Sequence, residues 1–184
     1  YTPFILYNNP QIPNNNLAAL GIGPPSVDAL VDSAVALRKG GADTVAFACT
    51  AAYAWQHEVA DRAGVPVMKL LELVAQKVLL NGHRRVGLLE VDGTLAAGVF
   101  QETLERHGMD IVLPRRAEQK AIMETVADLK SGVNANDGPL SVLEKITDQL
   151  IQRDGVSGIV LGCTEIATAM GSVDHSNSSV QYID

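Results

Sequence analysis

The chain's 184 residues suit one ordinary domain or two small ones, and a composition of 47% hydrophobic and 19% charged residues supplies a sizeable core and excludes a disordered chain. The formal net charge of −7 excludes nucleic acid and an anionic membrane surface as the main partner. No apolar run approaches the roughly 20 residues needed to cross a bilayer, and no secretory segment is recognisable, so a cytoplasmic protein without a membrane partner is expected.

In chain order, the apolar segment 2–7 is an expected strand that enters a polar loop over 8–25, rich in Asn and Pro. Ser26 is the expected N-cap of a helix whose apolar positions Val27, Leu30, Val31, Ala34 and Val35 follow the 3.6-residue period, and Gly40 and Gly41 stop it. A buried strand over 44–48 leads into Cys49, followed by a helix over 51–63 and a strand over 65–68. The second half repeats this alternation: a helix over 70–80, a strand over 85–89, a tight loop over 91–94 and a helix over 95–107. A short strand over 111–113 precedes helices over 117–130 and 140–153, which turn formers separate. A strand over 158–161 delivers Cys163, a short helix begins near Thr164, and 180–183 is a candidate last strand.

Strands separated by helices of this length imply right-handed βαβ crossovers and parallel sheets. Abundant Ala, Val, Leu and Gly, with few aromatics, suit helices packed closely on such sheets. Two small α/β layers are expected, with the crossover near 68–70. Ligands in these folds sit at the carboxyl ends of strands, and both cysteines fall there.

Cys49 and Cys163 stand in matching contexts: an apolar strand, then Cys-Thr, then a helix start. Backbone N–H groups and the positive end of a helix dipole are expected to lower the pKa of each thiol. The same groups, with the hydroxyls of Thr50 and Thr164, form a cradle suited to a carboxylate. One disulfide would account for two cysteines, and a buried cysteine can serve as a small hydrophobe. Their placement at strand ends favours two free thiols that do chemistry. His57, His83, His107 and His175 are scattered without metal-ligand spacing.

Five features together resemble the aspartate/glutamate racemase superfamily, particularly its aspartate racemase branch. They are Tyr7-Asn-Asn-Pro-Gln-Ile-Pro13, Cys49 after its strand, Asp92-Gly93-Thr94, Lys130, and Gly162-Cys163-Thr164-Glu165-Ile166. The resemblance implies an α/β fold of two pseudo-symmetric Rossmann-like domains, with parallel sheets flanked by helices and the active site in the cleft between them. Residues 1–67 with 176–184 would form the domain carrying Cys49, and 68–175 the domain carrying Cys163. It further implies a homodimer, no cofactor and a small amino acid or dicarboxylic acid as substrate. One cysteine thiolate would remove the α-hydrogen while the other, as a thiol, protonates the opposite face. Inversion needs an acid and a base on opposite faces, and two equivalent thiols serve either enantiomer. The substrate-binding residues expected around them are Asn8, Asn15, Thr50, Ala51, Thr94, Lys130, Thr164 and Glu165.

The sequence also departs from the family pattern. Thr50-Ala51 stands where Asn-Thr usually follows the first cysteine, and Val91 where a hydroxyl residue is frequent. Asn14-Asn15-Asn16 occupies the place of an Asp-Arg pair whose guanidinium would grip a side-chain carboxylate. Aspartate is therefore expected to be a poor substrate. Maleate-isomerase-like or decarboxylase-like chemistry, or a non-catalytic binding role, are the competing readings.

Overall fold

The computed structural model describes residues 3–171 and 181–183. Four parallel strands form its sheet: β1 (Arg85–Leu89), β2 (Asp110–Val112), β3 (Gly158–Leu161) and β4 (Gln181–Ile183), in the order β2-β1-β3-β4. β1 and β3 are continuous apolar runs because helices cover both faces of the sheet. Val86, Leu88, Val160 and Ile183 point to one face, where they meet α4 (Leu70–Leu80) and α6 (Val99–Arg106) through Leu71, Val78, Phe100 and Leu104. Leu89, Ile159 and Leu161 point to the other, against α7 (Arg116–Lys130), α8 (Pro139–Asp154) and α9 (Thr164–Met170). The fold is α/β, as expected, with a parallel sheet flanked by helices.

The first half packs α2 (Val27–Lys39) against α3 (Gln56–Ala63) over Val45 and Val65. The strands expected over 44–48 and 65–68 shrink to a single parallel bridge, Val45 to Val67. Two hydrogen bonds hold it, from Val45 N–H to Pro66 O at 2.9 Å and from Met68 N–H to Val45 O at 2.8 Å. Pro66 has no N–H with which to extend the ladder. The segment 3–9 is extended but not a strand: Phe4 and Leu6 are 87% and 81% exposed. A strand exists only where a neighbour takes its N–H and C=O groups, and no described segment does so here. Tyr1 and Thr2 lie outside the described residues.

Other departures are local. The polar loop contains a short helix, α1 (Asn15–Ala19), capped by the side chain of Asn14, which accepts from Leu17 N–H. Ser26 precedes α2, but its hydroxyl donates to Pro13 O at 3.4 Å instead of capping the helix. The helix expected over 95–107 is two helices, α5 (Asp92–Ala97) and α6, with Gly98 between them at φ +67, a left-handed backbone that only glycine adopts cheaply. β4 pairs with β3, so residues 181–183 belong to the sheet of the second half and not to the first domain. Burial of Ile183 beside Val160 explains that choice. Residues 176–180 and 184 lie outside the described residues. Among the described residues no helix is long and apolar enough to cross a membrane.

Candidate active site

The two cysteines occupy equivalent backbone positions. Cys49 is extended (φ −150, ψ 119) and precedes a 3-10 turn, Thr50–Trp55, that runs into α3. Cys163 is extended (φ −146, ψ 132) and precedes α9. Each carbonyl accepts the first bond of its helical segment, from Ala52 N–H at 3.2 Å and from Ala167 N–H at 2.9 Å. Tyr53, 1% exposed, steadies the approach to Cys49: its phenolic oxygen accepts from Phe47 N–H at 3.3 Å, and the two rings meet edge to face. Burial pushes the Tyr53 phenol above its ordinary pKa.

Both cysteines are free thiols and line one cleft of about 270 Å³. The two halves of the chain meet directly beside the cysteines. Thr50 Oγ1 donates to the carbonyl of Gly162 at 2.8 Å, so the hydroxyl expected to meet substrate spends its proton on the chain.

Cys163 is 4% exposed, and its Sγ donates to Glu165 Oε2 at 3.1 Å. Burial, and then the Glu165 carboxylate, push its thiol up to about 12, although the N–H groups of Ile166 and Glu165 act in the other direction. The expected lowering by the start of α9 is therefore reversed at this position. Taking a thiolate out of water beside a carboxylate costs more than two N–H groups return. Burial also acts to raise Glu165, but the hydrogen bond from Cys163, the backbone N–H, Lys130 and Thr164 together hold it below its ordinary value. Thr164 Oγ1 donates to Oε2 at 3.0 Å, and Lys130 Nζ stands 3.5 Å from Oε1.

The three consecutive asparagines have separate roles. Asn14 caps α1, and Asn16 Oδ1 accepts from Gly93 N–H at 2.5 Å. That approach requires a glycine at 93, since an added Cβ would lie 2.5 Å from Asn16 O. Asn15 lines the cleft, and its Oδ1 is buried without a hydrogen-bond partner among the described residues.

Of the expected substrate-binding residues, Asn15, Thr50, Ala51, Lys130, Thr164 and Glu165 line the cleft with the cysteines. Asn8 does not: it is exposed and outside the lining. The polar residue anchoring its segment is Asn9, whose Nδ2 donates to Ser33 Oγ at 2.9 Å. Thr94 is fully buried in α5 and also lies outside the lining, with no partner for its Oγ1 among the described residues. Ile12, Pro13, Ala48 and Val91 supply the apolar part of the lining.

Sequence reasoning did not single out Glu90, a buried acid outside the cleft lining. It follows β1, is 1% exposed, and accepts from Gln101 Nε2 at 2.9 Å through Oε1. Its Oε2 has no partner among the described residues, and burial pushes its carboxyl up to about 8. An acid closing an apolar strand is the signal that marks it.

The chain belongs to the Asp/Glu/Hydantoin racemase family, whose model matches residues 1–184. It is similar to a Pectobacterium carotovorum subsp. carotovorum protein called "Uncharacterized protein in pnlA 3'region", 31% identical over 130 residues, 71% of this chain and 84% of that one. It also resembles the broad specificity amino-acid racemase RacX of Bacillus subtilis, 22% identical over 156 residues, 85% of this chain and 65% of that protein. In structure it matches Picrophilus torridus aspartate racemase with a TM-score of 0.79 and 23% identity, over 98% of this chain and 73% of that one.

Proposed function

We propose that the protein is a cofactor-independent amino-acid racemase in which Cys49 and Cys163 exchange the roles of base and acid. The observation that carries this reading is that two free thiols, on equivalent extended residues before helical turns, line the same cleft. In one direction the Cys49 thiolate takes the α-hydrogen as a proton, and the Cys163 thiol gives its own proton to the opposite face of the planar carbanion. Cys49 is then the thiol and Cys163 the thiolate, and the opposite enantiomer reacts by the reverse path. Burial favours the protonated form of Cys163 in the resting site, and Glu165 is placed to take or return its proton between turnovers.

The charges lining the cleft restrict the substrate. Lys130 and Glu165 oppose one another, so a zwitterion with a neutral side chain leaves the site balanced. A second carboxylate meets no further cation among the described residues of the lining. We assign Asn15 Oδ1 to the substrate ammonium and Lys130 to the α-carboxylate. In this reading residues 1–67 supply Cys49 and residues 68–175 supply Cys163. A homodimer and a cytoplasmic location form part of the same proposal.

The test is incubation of the protein in D2O with alanine, serine, glutamine and aspartate, and separately with maleate, followed by chiral chromatography and mass spectrometry. Deuterium at the α-carbon with inversion is expected. Turnover of maleate without α-exchange would replace this reading with the isomerase alternative, and no turnover of either would leave a binding protein.

A further inference from the structure

A second depression, of about 430 Å³, opens between α9 and the turn after α7, and it shares Thr164 and Glu165 with the active-site cleft. The Lys130–Glu165 pair marks the division between them: Lys130 lines the cleft, whereas its neighbour Leu129 lines the depression. The pair is 3.5 Å apart, with the Lys130 side chain 52% exposed. Ion pairs so open to water are weak enough for a substrate to part.

The chemistry of the depression differs from that of the cleft. Asn134, Asn136 and Thr168 supply its polar groups, and no Lys or Arg lines it. Asn134 Oδ1 accepts from the backbone N–H of Asn136 at 3.0 Å, which commits its oxygen and leaves its NH2 group to donate. Thr168 Oγ1 donates to Thr164 O at 2.8 Å, which leaves the hydroxyl oxygen to accept. The lining therefore offers both donors and acceptors, and among its described residues the charge is the carboxylate of Glu165.

We propose that this depression is the side-chain subsite of the racemase and selects neutral side chains of the carboxamide class, long enough to pass Glu165. The proposal rests on the racemase reading above. A carboxamide satisfies donor and acceptor together, whereas a side-chain carboxylate would face Glu165, whose neighbouring cation, Lys130, is already paired with it and assigned above to the α-carboxylate.

The experiment compares kcat/KM for L-glutamine, L-alanine, L-glutamate and L-lysine, first with the unmodified protein and then with Thr168→Trp and Asn136→Leu. Glutamine should exceed alanine and glutamate by about tenfold or more, as for sites built to pair polar groups. Each substitution should lower the glutamine-to-alanine ratio by about the same factor. Asn136 is exposed in its turn, so Asn136→Leu reads the subsite even if Thr168→Trp disturbs α9. Equal turnover of glutamine and alanine, or an unchanged ratio in both variants, overturns the subsite while leaving a racemase. Preference for lysine overturns the neutral class, and no racemisation of any of the four overturns both readings.

Discussion

Thr50 and Gly162, 112 positions apart, are joined by a 2.8 Å hydrogen bond that ties the residue after Cys49 to the residue before Cys163. Because each partner is covalently next to a thiol, this bond fixes the spacing of the two thiols across the cleft. Thr50→Val removes the donor and leaves a buried carbonyl unpaired, at a cost of about 1–3 kcal/mol. Small misplacements of reacting groups lower rate steeply, so kcat is expected to fall by about tenfold or more with a smaller change in KM. Thr50→Ser should restore most of kcat. Steady-state kinetics of the two variants decide it, and equal losses in both would show that the hydroxyl is not the active part.

Cys49→Ser and Cys163→Ser should each abolish racemisation, since serine is too weak an acid and base to replace a thiol here. Each variant should still exchange the α-hydrogen of one enantiomer with solvent, because the remaining cysteine serves one face. The measurement is deuterium uptake by separate L and D substrates. Near-normal racemisation by either variant would remove that cysteine from the mechanism.

Glu165 raises the Cys163 pKa through its hydrogen bond and its charge, in addition to burial. Glu165→Gln should therefore bring the Cys163 thiol down from about 12 towards its ordinary value of 9.0, with burial still holding it above. The pH profile of iodoacetamide alkylation at Cys163, followed in a Cys49→Ser background, should move to lower pH in the double variant. An unmoved profile would show burial alone to be responsible.

The fold was legible where sequence pattern and tertiary demand coincide. β1 and β3 match the expected 85–89 and 158–161 because continuous apolar runs closed by turn formers suit only doubly covered strands. The segment 3–7 has the same apolar character, but pattern reports a tendency to be buried and cannot supply a pairing partner. The Cys-Thr turns were legible as helix starts, whereas the direction of the Cys163 shift was not. That shift depends on burial and on the rotamer of Glu165 two residues further on. Thr50 looks like a substrate contact in sequence, yet its hydroxyl is committed to a distant backbone group, and Asn16 Oδ1 is likewise taken by Gly93 N–H. Such long-range pairing leaves no local mark.

Glu90 makes stability depend on pH. Burial raises its carboxyl from an ordinary 4.5 to about 8 in the folded protein, so between these values the folded state holds a proton that the unfolded state has lost. Its favourable contribution is complete below about 4.5 and is lost as pH rises through about 8. The total is on the order of a few kcal/mol. Glu90→Gln keeps the acceptor for Gln101 and removes the ionisation. Urea midpoints at pH 5 and pH 9 should therefore fall with pH in the unmodified protein and change much less in the variant. Parallel curves would show that Glu90 does not titrate in this range.

Asn15 tests the substrate assignment itself. It lines the cleft at the start of α1, and among the described residues its Oδ1 has no partner and Lys130 is the one cation in the lining. If a second carboxylate goes unclamped for lack of a guanidinium, Asn15→Arg should supply one, because a charged hydrogen bond to a carboxylate is worth about 1.5–3 kcal/mol. That corresponds to about 10- to 150-fold in affinity. Aspartate turnover should then rise relative to alanine and glutamine, mainly through KM, since the clamp holds a group that does not react. The opposing possibility is that Lys130 leaves Glu165 for the substrate side chain and already serves aspartate in full. Rates for aspartate, glutamate, glutamine and alanine, with the unmodified protein and with Asn15→Arg, separate the two. Efficient and selective racemisation of aspartate before any substitution would overturn the neutral-substrate assignment and make Lys130 the clamp.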